Sequence, residues 1–137
     1  MTCTFCSICA GEEEAEIVNE TDETLAFAPL NPISEGHILV IPKDHYETIF
    51  DIPESTLCTV VKHTKIIAER LQANGFDGAN LLHDSSQHQS VPHFHLHIAP
   101  RRSDDGLDLW PESGYEESNF TLTYEHIRKK LSDEDSE

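Results

Sequence analysis

Three histidines at alternate positions, His93, His95 and His97, are the residues of this chain best suited to chemistry. Histidine is the side chain whose charge changes near neutral pH. The residues around them are largely apolar and end at a proline, which predicts a β-strand, and side chains two apart in a strand share a face. We therefore expect the three imidazoles to line one face of a strand. The opposite face would carry Phe94, Leu96 and Ile98.

A row of imidazoles has three interpretations. A polar strand face without chemistry is unfavourable, because buried imidazoles need hydrogen-bond partners and return little packing energy. A metal site fits, since histidines two apart on a strand can chelate zinc together. Nucleophilic catalysis also fits, because neutral imidazole can attack phosphorus or an acyl centre while a neighbouring imidazole holds phosphate oxygens or passes a proton to the leaving group. The spacing alone does not separate the last two.

Three sequence blocks narrow the choice. The triad, preceded by Gln-Ser-Val at residues 89–91, resembles the defining motif of the histidine triad (HIT) superfamily of nucleotide hydrolases and transferases. Residues 31–45 resemble its Pro-x-x-x-Gly-His-x-Leu-Val-x-Pro-Lys-x-His block, and residues 3–6 resemble the Cys-x-Phe-Cys opening of many prokaryotic members. The blocks occur in the family's order, and the resemblance covers roughly residues 3–111.

The resemblance implies a function for the triad. His95 would attack the α-phosphorus of a nucleoside 5'-monophosphate derivative, such as an AMP or GMP phosphoramidate or a related ester, and water would hydrolyse the nucleotidyl-histidine intermediate. His97 would contact the phosphate and assist the leaving group, and Ser90 would hydrogen-bond near the bridging atom. His37 would support the triad. The other nucleotide-binding positions implied are Phe5, Ile8, Phe27 and Leu30 at the base, Asn31 at the ribose and Gln89 at the phosphate. The alternative for the four apolar residues is an ordinary place in the hydrophobic core.

Alternative functions stay open beside this one. A dinucleoside polyphosphate hydrolase would use the same triad, and so would a nucleotide-binding sensor protein with little turnover. Two departures from the family pattern bear on the choice: Pro29 stands where many members have a ribose-binding aspartate, and His88 stands in the loop before the triad where glycine is common. His83 and His88 are either extra phosphate ligands or solvated loop histidines. By resemblance to related members, Trp110 would reach a partner subunit.

The N-terminal cysteines suggest a metal site. A single Cys-x-x-Cys pair, Cys3 and Cys6, is a weak signal, and a structural zinc needs four ligands. The resemblance supplies the other two as His45 and His93, so that a structural zinc would lie away from the chemistry. The competing interpretation is a pair of buried thiols with His93 bonded to a carbonyl. The remaining cysteines, expected to be packed in the interior, are Cys9 and Cys58.

The elements that must position these residues can be read from hydrophobic spacing. Residues 16–19 and 24–28 are typical of a hairpin, and residues 37–41 and 79–82 of further strands. A long helix would follow Asp51 as N-cap and end near Ala73 or Asn74, because Gly75 suits a helix terminus, and residues 124–131 would form a second helix. This is an α+β fold, an antiparallel meander with one long crossing helix and a C-terminal helix. Residues 1–131 would form a single domain, with residues 132–137 as a disordered acidic tail.

Charge and length limit the partners. The 137 residues include 26 acidic and 9 basic side chains, a net charge of −17, so no positive field attracts nucleic acid or an anionic membrane. No segment approaches the ~20 apolar residues of a membrane span and no signal peptide is evident, so we expect a cytoplasmic protein. Dispersed acidity with few lysines suggests a halophilic archaeal source, the alternative being an ordinary acidic cytosolic protein. The family resemblance implies a homodimer acting on a purine nucleotide.

Overall fold

The computed structural model describes residues 3–109 and 116–132. It divides the chain into two compact units, residues 1–107 and residues 108–137. The first unit contains the triad and every other residue implicated in chemistry above except Trp110, which lies outside the described residues.

A five-stranded antiparallel sheet forms the first unit, in the order β1-β2-β3-β5-β4. β1 and β2 form the predicted hairpin. The long helix connects β3 to β4, which lies at the edge of the sheet, and β5 returns to pair between the two. The predicted α+β meander is therefore confirmed. The strands are β1 Glu16–Glu20, β2 Thr24–Ala28, β3 Ile38–Pro42, β4 Gly78–Leu82 and β5 Leu96–Arg101.

The two faces of the sheet carry different helices. The long helix α2, Glu54–Ala73, packs against β2, β3, β4 and β5. A short helix α1, Thr4–Cys9, lies on the other face, where its buried Phe5 and Ile8 join a second apolar cluster. Because side chains alternate along a strand, β2 and β3 each supply both clusters. The α2 cluster contains Ala26, Val40, Phe94 and Ile98, and the α1 cluster contains Leu25, Phe27, Leu39 and Ile41.

The start of the long helix differs from the prediction. Asp51 does not cap α2, because its carboxylate accepts hydrogen bonds from the backbone N–H groups of Glu47 and Thr48 and closes the preceding turn. The N-cap is instead Pro53, whose carbonyl accepts the first helical hydrogen bond. The predicted end at Ala73 is confirmed, and Gly75 follows with φ of +113°. Cys58 lies on the exposed side of α2, so the prediction that it is buried was wrong.

The strand predicted around the triad is shorter than expected. β5 begins at Leu96, so only His97 lies in the sheet ladder, whereas His93 and His95 precede it. The β3–β5 register, continued beyond Leu96, would place Phe94 opposite Pro42, which has no N–H to donate to the carbonyl of Phe94. The carbonyl of Pro42 accepts from the His93 ring, and the N–H of Phe94 donates to the carbonyl of Tyr46, 2.5 Å away.

The second unit contains a 3₁₀ turn, Glu117–Asn119, and a helix α3, Tyr124–Ser132. Thr123 caps α3, since its hydroxyl accepts the N–H of His126 at 3.1 Å. The predicted C-terminal helix is confirmed and extends one residue further, into the segment expected to be a tail; residues 133–137 lie outside the described residues. The single domain over residues 1–131 stays a prediction. In the described residues, no helix has both the length and the apolar character needed to cross a bilayer.

Candidate active site and metal centre

The three triad rings lie on the same side of the backbone, as the alternation predicted. The ring centroids of His95 and His97 are 5.0 Å apart. The Phe5 ring makes T-shaped contacts with His93 and His95, at centroid separations of 5.9 and 5.2 Å. Register pairs His97 with Leu39, which places it on the α1 side of the sheet. The apolar residues between the histidines face α2, where Phe94 and Ile98 are buried. Helix α1, which was not predicted from the sequence, therefore covers the side of the sheet that carries the triad rings.

The hydrogen bond made by His95 determines which of its nitrogens can react. Its Nδ1 lies 2.7 Å from the backbone carbonyl of His93, and a carbonyl only accepts, so Nδ1 carries the hydrogen. In the neutral ring Nε2 then holds the free lone pair. Burial lowers the pKa of His95, whose side chain is only 2% exposed, and this favours the neutral ring. Nε2 is thus the nitrogen of His95 whose chemistry would allow it to act as a nucleophile.

A chain of hydrogen bonds sets the opposite arrangement at His97. The N–H of Ile33 donates to Nδ1 of His37 at 3.1 Å, so in the neutral ring of His37 the hydrogen is on Nε2. That Nε2 lies 2.9 Å from Nδ1 of His97 and donates to it. His97 therefore carries its own hydrogen on Nε2, the nitrogen not used inside the protein.

Burial keeps both members of this pair uncharged. Burial first, and then the neighbouring His95 and His37, lower the pKa of His97 to about 4, and burial also lowers the pKa of His37. Gly36, at φ of +82°, allows the chain to turn immediately before His37, and an added Cβ there would meet the ring of Pro100 at 3.1 Å. The site thus presents one ring nitrogen with a lone pair, on His95, and one N–H donor, on His97.

A second cluster gathers the four predicted metal ligands. One ligand atom from each of Cys3, Cys6, His45 and His93 lies within 4.8 Å of the others. Sγ of Cys3 is 3.3 Å from Nδ1 of His93, and Sγ of Cys6 is 3.3 Å from Nδ1 of His45 and 3.5 Å from Nδ1 of His93. Tetrahedral Zn–S and Zn–N bonds require ligand atoms about 3.3–3.8 Å apart. The donor set and its separations therefore fit a structural zinc.

The second nitrogen of His93 completes this arrangement. Nε2 donates to the carbonyl of Pro42 at 2.8 Å, which leaves the lone pair of Nδ1 directed at the thiols. The carbonyl bond that the competing interpretation predicted is thus present, and it is compatible with metal binding because it uses the other nitrogen. Burial raises the pKa of Cys6 to about 11, so metal binding would have to release its proton. Cys9 is half-buried against the α1 cluster, as expected.

The predicted nucleoside-binding residues fall into two groups. Phe5, Ile8 and Phe27 are buried together, with the rings of Phe5 and Phe27 in edge contact at 5.2 Å. Leu30 and Asn31, just after β2, are exposed, Leu30 to 96%. The structure therefore brings the two aromatic rings and Ile8 together beside the triad, and leaves the other two free at the surface.

Side-chain hydrogen bonds, within the loop and to Glu47, hold the loop before the triad, residues 83–90. The side-chain amide of Gln89 donates to the carbonyl of Glu47 at 2.6 Å, and Asp84 accepts from the backbone and hydroxyl of Ser86. Ser90 is exposed, as is His88, which agrees with a solvated loop histidine.

His83 fits neither interpretation given to it from the sequence. It is half-buried, with its ring stacked on Phe94 and Nδ1 2.9 Å from the carbonyl of His95. Sequence reasoning missed this contact. The available signal was its position immediately after a strand that pairs with the triad strand.

Comparison with known proteins identifies the family. Residues 10–104 match the HIT domain family. An uncharacterised HIT-like protein of Methanocaldococcus jannaschii is 42% identical over 106 residues, which cover 76% of this chain and 82% of that protein. The adenosine 5'-monophosphoramidase of Candida albicans is 31% identical over 147 residues, covering 99% of this chain and 95% of that enzyme.

Solved structures give the same result. A HIT family protein from Bacillus anthracis superposes with a TM-score of 0.81 at 30% identity, covering 98% of this chain and 95% of that one. A Zn-bound histidine triad family protein from Mycobacterium smegmatis superposes with a TM-score of 0.76 at 31% identity, covering 99% and 97%. Sequence, fold and the paired imidazoles agree, and the chain belongs to the HIT domain family.

Proposed function

We propose that this protein hydrolyses nucleoside 5'-monophosphate derivatives, most simply AMP or GMP phosphoramidates, through a nucleotidyl intermediate on His95. The observation that carries the proposal is the complementary pair of nitrogens, the lone pair at Nε2 of His95 and the N–H at Nε2 of His97. The relative from Candida albicans is named an adenosine 5'-monophosphoramidase, which supports this substrate class.

The two nitrogens suit a two-step displacement. Nε2 of His95 attacks the α-phosphorus, the bond from phosphorus to the leaving nitrogen breaks, and water then cleaves the new bond between phosphorus and Nε2. Together the steps consume one water, whose oxygen ends on the phosphate and one of whose protons ends on the released amine. The N–H of His97 would stabilise negative charge on the phosphate oxygens or at the leaving atom, with Ser90 near the bridging atom and Gln89 near the phosphate.

Recognition of the nucleoside would use the apolar side of the site. Phe5, Ile8 and Phe27 would form a wall against the base, and the exposed Leu30 would close over it. Asn31 would contact the ribose. Pro29 offers no side-chain acceptor, so ribose binding would depend on Asn31 and on backbone groups.

Charge favours a phosphoramidate over a dinucleoside polyphosphate. A polyphosphate carries more negative charge than a phosphoramidate, and a chain of net charge −17 repels it more strongly. The neutral imidazoles of the triad provide hydrogen bonds to one phosphate group and no counter-charge for several.

We also propose a structural zinc held by Cys3, Cys6, His45 and His93. Its separations support it, and so does the Zn-bound relative from Mycobacterium smegmatis. When bound, the ion would tie α1 and the loop after β3 to the start of the triad segment. Cytoplasmic residence is consistent with free thiols, which stay reduced there.

A homodimer is the proposed assembly. Val61 on α2 and Leu81 on β4 are about half exposed, and they line one apolar groove together with Ala68 and Ala79. An apolar face of this kind supports symmetric association with a second copy.

Turnover of a fluorogenic adenosine phosphoramidate tests the function. We expect His95→Ala to lose at least about 1,000-fold in kcat while AMP affinity changes little, because only the nucleophile is removed. His126→Ala, which alters an exposed histidine on α3, is the matched control and should retain full activity. Wild-type protein that binds AMP and turns over no such substrate would instead indicate the nucleotide-binding sensor.

A further inference from the structure

His83, the first residue after β4, lies against the backbone of the proposed nucleophile. Its Nδ1 is 2.9 Å from the carbonyl oxygen of His95, and because a carbonyl only accepts, Nδ1 carries a hydrogen. This carbonyl lies just outside the sheet ladder, since β5 begins at Leu96. The hydrogen bond from His83 therefore satisfies a buried backbone acceptor that strand pairing does not reach.

The ring of His83 is fixed on its face and at its other nitrogen. It stacks on Phe94, with ring centroids 4.3 Å apart and planes at 30°, and Phe94 is 1% exposed in the α2 cluster. Nε2 is hydrogen-bonded to the hydroxyl of Ser85. Because Nδ1 carries the hydrogen of the neutral ring, Nε2 accepts from that hydroxyl, whose oxygen accepts the N–H of Ile49 at 2.8 Å. Both ring nitrogens are occupied within the protein, which leaves neither for a phosphate.

Hydrogen bonds also join the loop after β3 to the loop before β5. Besides the link from Ile49 to Ser85, the amide of Gln89 donates to Glu47 and the N–H of Phe94 donates to Tyr46. The loop after β3 and the loop before β5 thus form one connected layer. His83 connects this layer to the carbonyl of the residue that performs the chemistry.

We infer that His83 is a positioning residue for His95: by holding its backbone carbonyl, it fixes the attacking imidazole relative to the substrate phosphorus. The role rests on the proposed function, because it presupposes attack by His95. His95 is then held at two points. Its ring Nδ1 donates to the carbonyl of His93, and its backbone carbonyl accepts from Nδ1 of His83. Loss of such positioning affects the attack step more than binding, since a displacement of ~1 Å can cost ~100-fold in rate.

Kinetics of three variants test this role. We expect His83→Ala to lower kcat about 10- to 100-fold with KM changed by less than about 3-fold, because substrate contacts remain. His83→Asn should recover most of the rate, since its amide nitrogen is as many bonds from Cα as Nδ1 and can donate to the same carbonyl. His126→Asn is the matched control outside the site. A stable His83→Ala variant with kcat within about 2-fold of wild type would overturn the assignment, and so would a folded His83→Asn variant as slow as His83→Ala.

A direct readout separates this role from the proposed function. Nitrogen NMR of the histidine rings should show His83 in the Nδ1–H form with slow hydrogen exchange, and His83 in the Nε2–H form would overturn the assignment whatever the activity. If His95→Ala keeps wild-type turnover, the proposed function fails. If wild type is active and its nucleotidyl-enzyme forms at the same rate in His83→Ala, only the positioning role fails.

Discussion

At the scale of single residues, the direction of each hydrogen bond assigns a role to each histidine. Three rings of similar sequence context differ in which nitrogen carries the hydrogen. His93 donates through Nε2 to a carbonyl and directs the lone pair of Nδ1 at the thiols, whereas His95 donates through Nδ1 and leaves the lone pair on Nε2. His97 accepts at Nδ1 from His37 and presents an N–H. Chemical differences within the motif thus come from the neighbours of each ring.

The metal centre gives a prediction at this scale. Cys6→Ser should reduce zinc affinity by at least about 100-fold, because it removes one of the four proposed ligands of the structural zinc. Zinc bound by purified protein can be measured by elemental analysis after dialysis. Cys58→Ser, at an exposed thiol on α2, is the matched control and should keep its zinc. Undiminished zinc in Cys6→Ser would refute the assigned ligand set.

At the scale of elements, sequence periodicity predicted most of the fold and missed features that depend on distant residues. Strands β1 to β4 and the end of α2 follow from alternating or helical spacing and from Gly75. Helix α1 has only six residues, too short for a periodic signal, and is capped by Sγ of Cys3 accepting the N–H of Cys6. The start of β5 was missed because it depends on the proline in its partner strand, 54 positions before Leu96.

In the candidate site, too, some features could be predicted from the sequence and others depend on distant residues. The family resemblance, and not spacing alone, singled out His95 and His97 and the four residues whose ligand atoms the structure gathers, because it matched these positions to family motifs. The position of His83 after β4 indicated that it lies near the triad segment, but its hydrogen bond to His95 depends on the path of a loop that departs from the family pattern. Local pattern thus located the reactive groups, and tertiary structure was needed to show what holds them.

A buried histidine joins helix α2 to the β1–β2 hairpin. His63 is 4% exposed; its Nδ1 lies 2.7 Å from the hydroxyl of Thr24, and its Nε2 lies 2.7 Å from the side-chain oxygen of Asn19. Burial lowers the pKa of His63 below its ordinary value. The unfolded chain then binds more protons than the folded one between the two pKa values, so the free energy of unfolding falls as pH falls below about 6.5.

This linkage predicts a measurable change in acid sensitivity. His63→Gln should reduce the loss of unfolding free energy between about pH 7 and pH 5, by at most ~1.4 kcal/mol per pH unit for one proton. Urea unfolding at a series of pH values measures it. His126→Gln, at an exposed histidine, should leave the slope unchanged. Identical slopes for His63→Gln and wild type would show that this histidine does not contribute.

At the scale of the whole molecule, the dominant property is repulsion among acidic side chains. The chain has 26 acidic and only 9 basic residues, so its cationic side chains are too few to neutralise most of the carboxylates. The ion pairs that do form include Lys43 with Glu20 and Arg101 with Asp105. Self-repulsion destabilises the compact state, and salt screens it.

We therefore expect stability to depend on salt, as for a halophilic protein. The Tm should rise by roughly 5–10 °C between about 0.1 M and 2 M KCl. Thermal unfolding followed by circular dichroism measures the shift. A variant with Glu12, Glu13 and Glu14 changed to Gln, all three exposed, should start from a higher Tm and rise less. A Tm independent of KCl would favour an ordinary acidic cytosolic protein.

The two ends of one residue connect the proposed zinc to the proposed nucleophile. His93 directs its ring at the cysteines and its backbone carbonyl at the imidazole of His95. Stripping zinc would leave the ring of His93 held only through Nε2 on the carbonyl of Pro42, and would loosen the backbone carbonyl that accepts from His95. A chelator would then inhibit an enzyme whose metal takes no part in the reaction, and its effect would resemble that on a true metallohydrolase. Inhibition by EDTA, a standard criterion for metal-dependent catalysis, would therefore misclassify this protein.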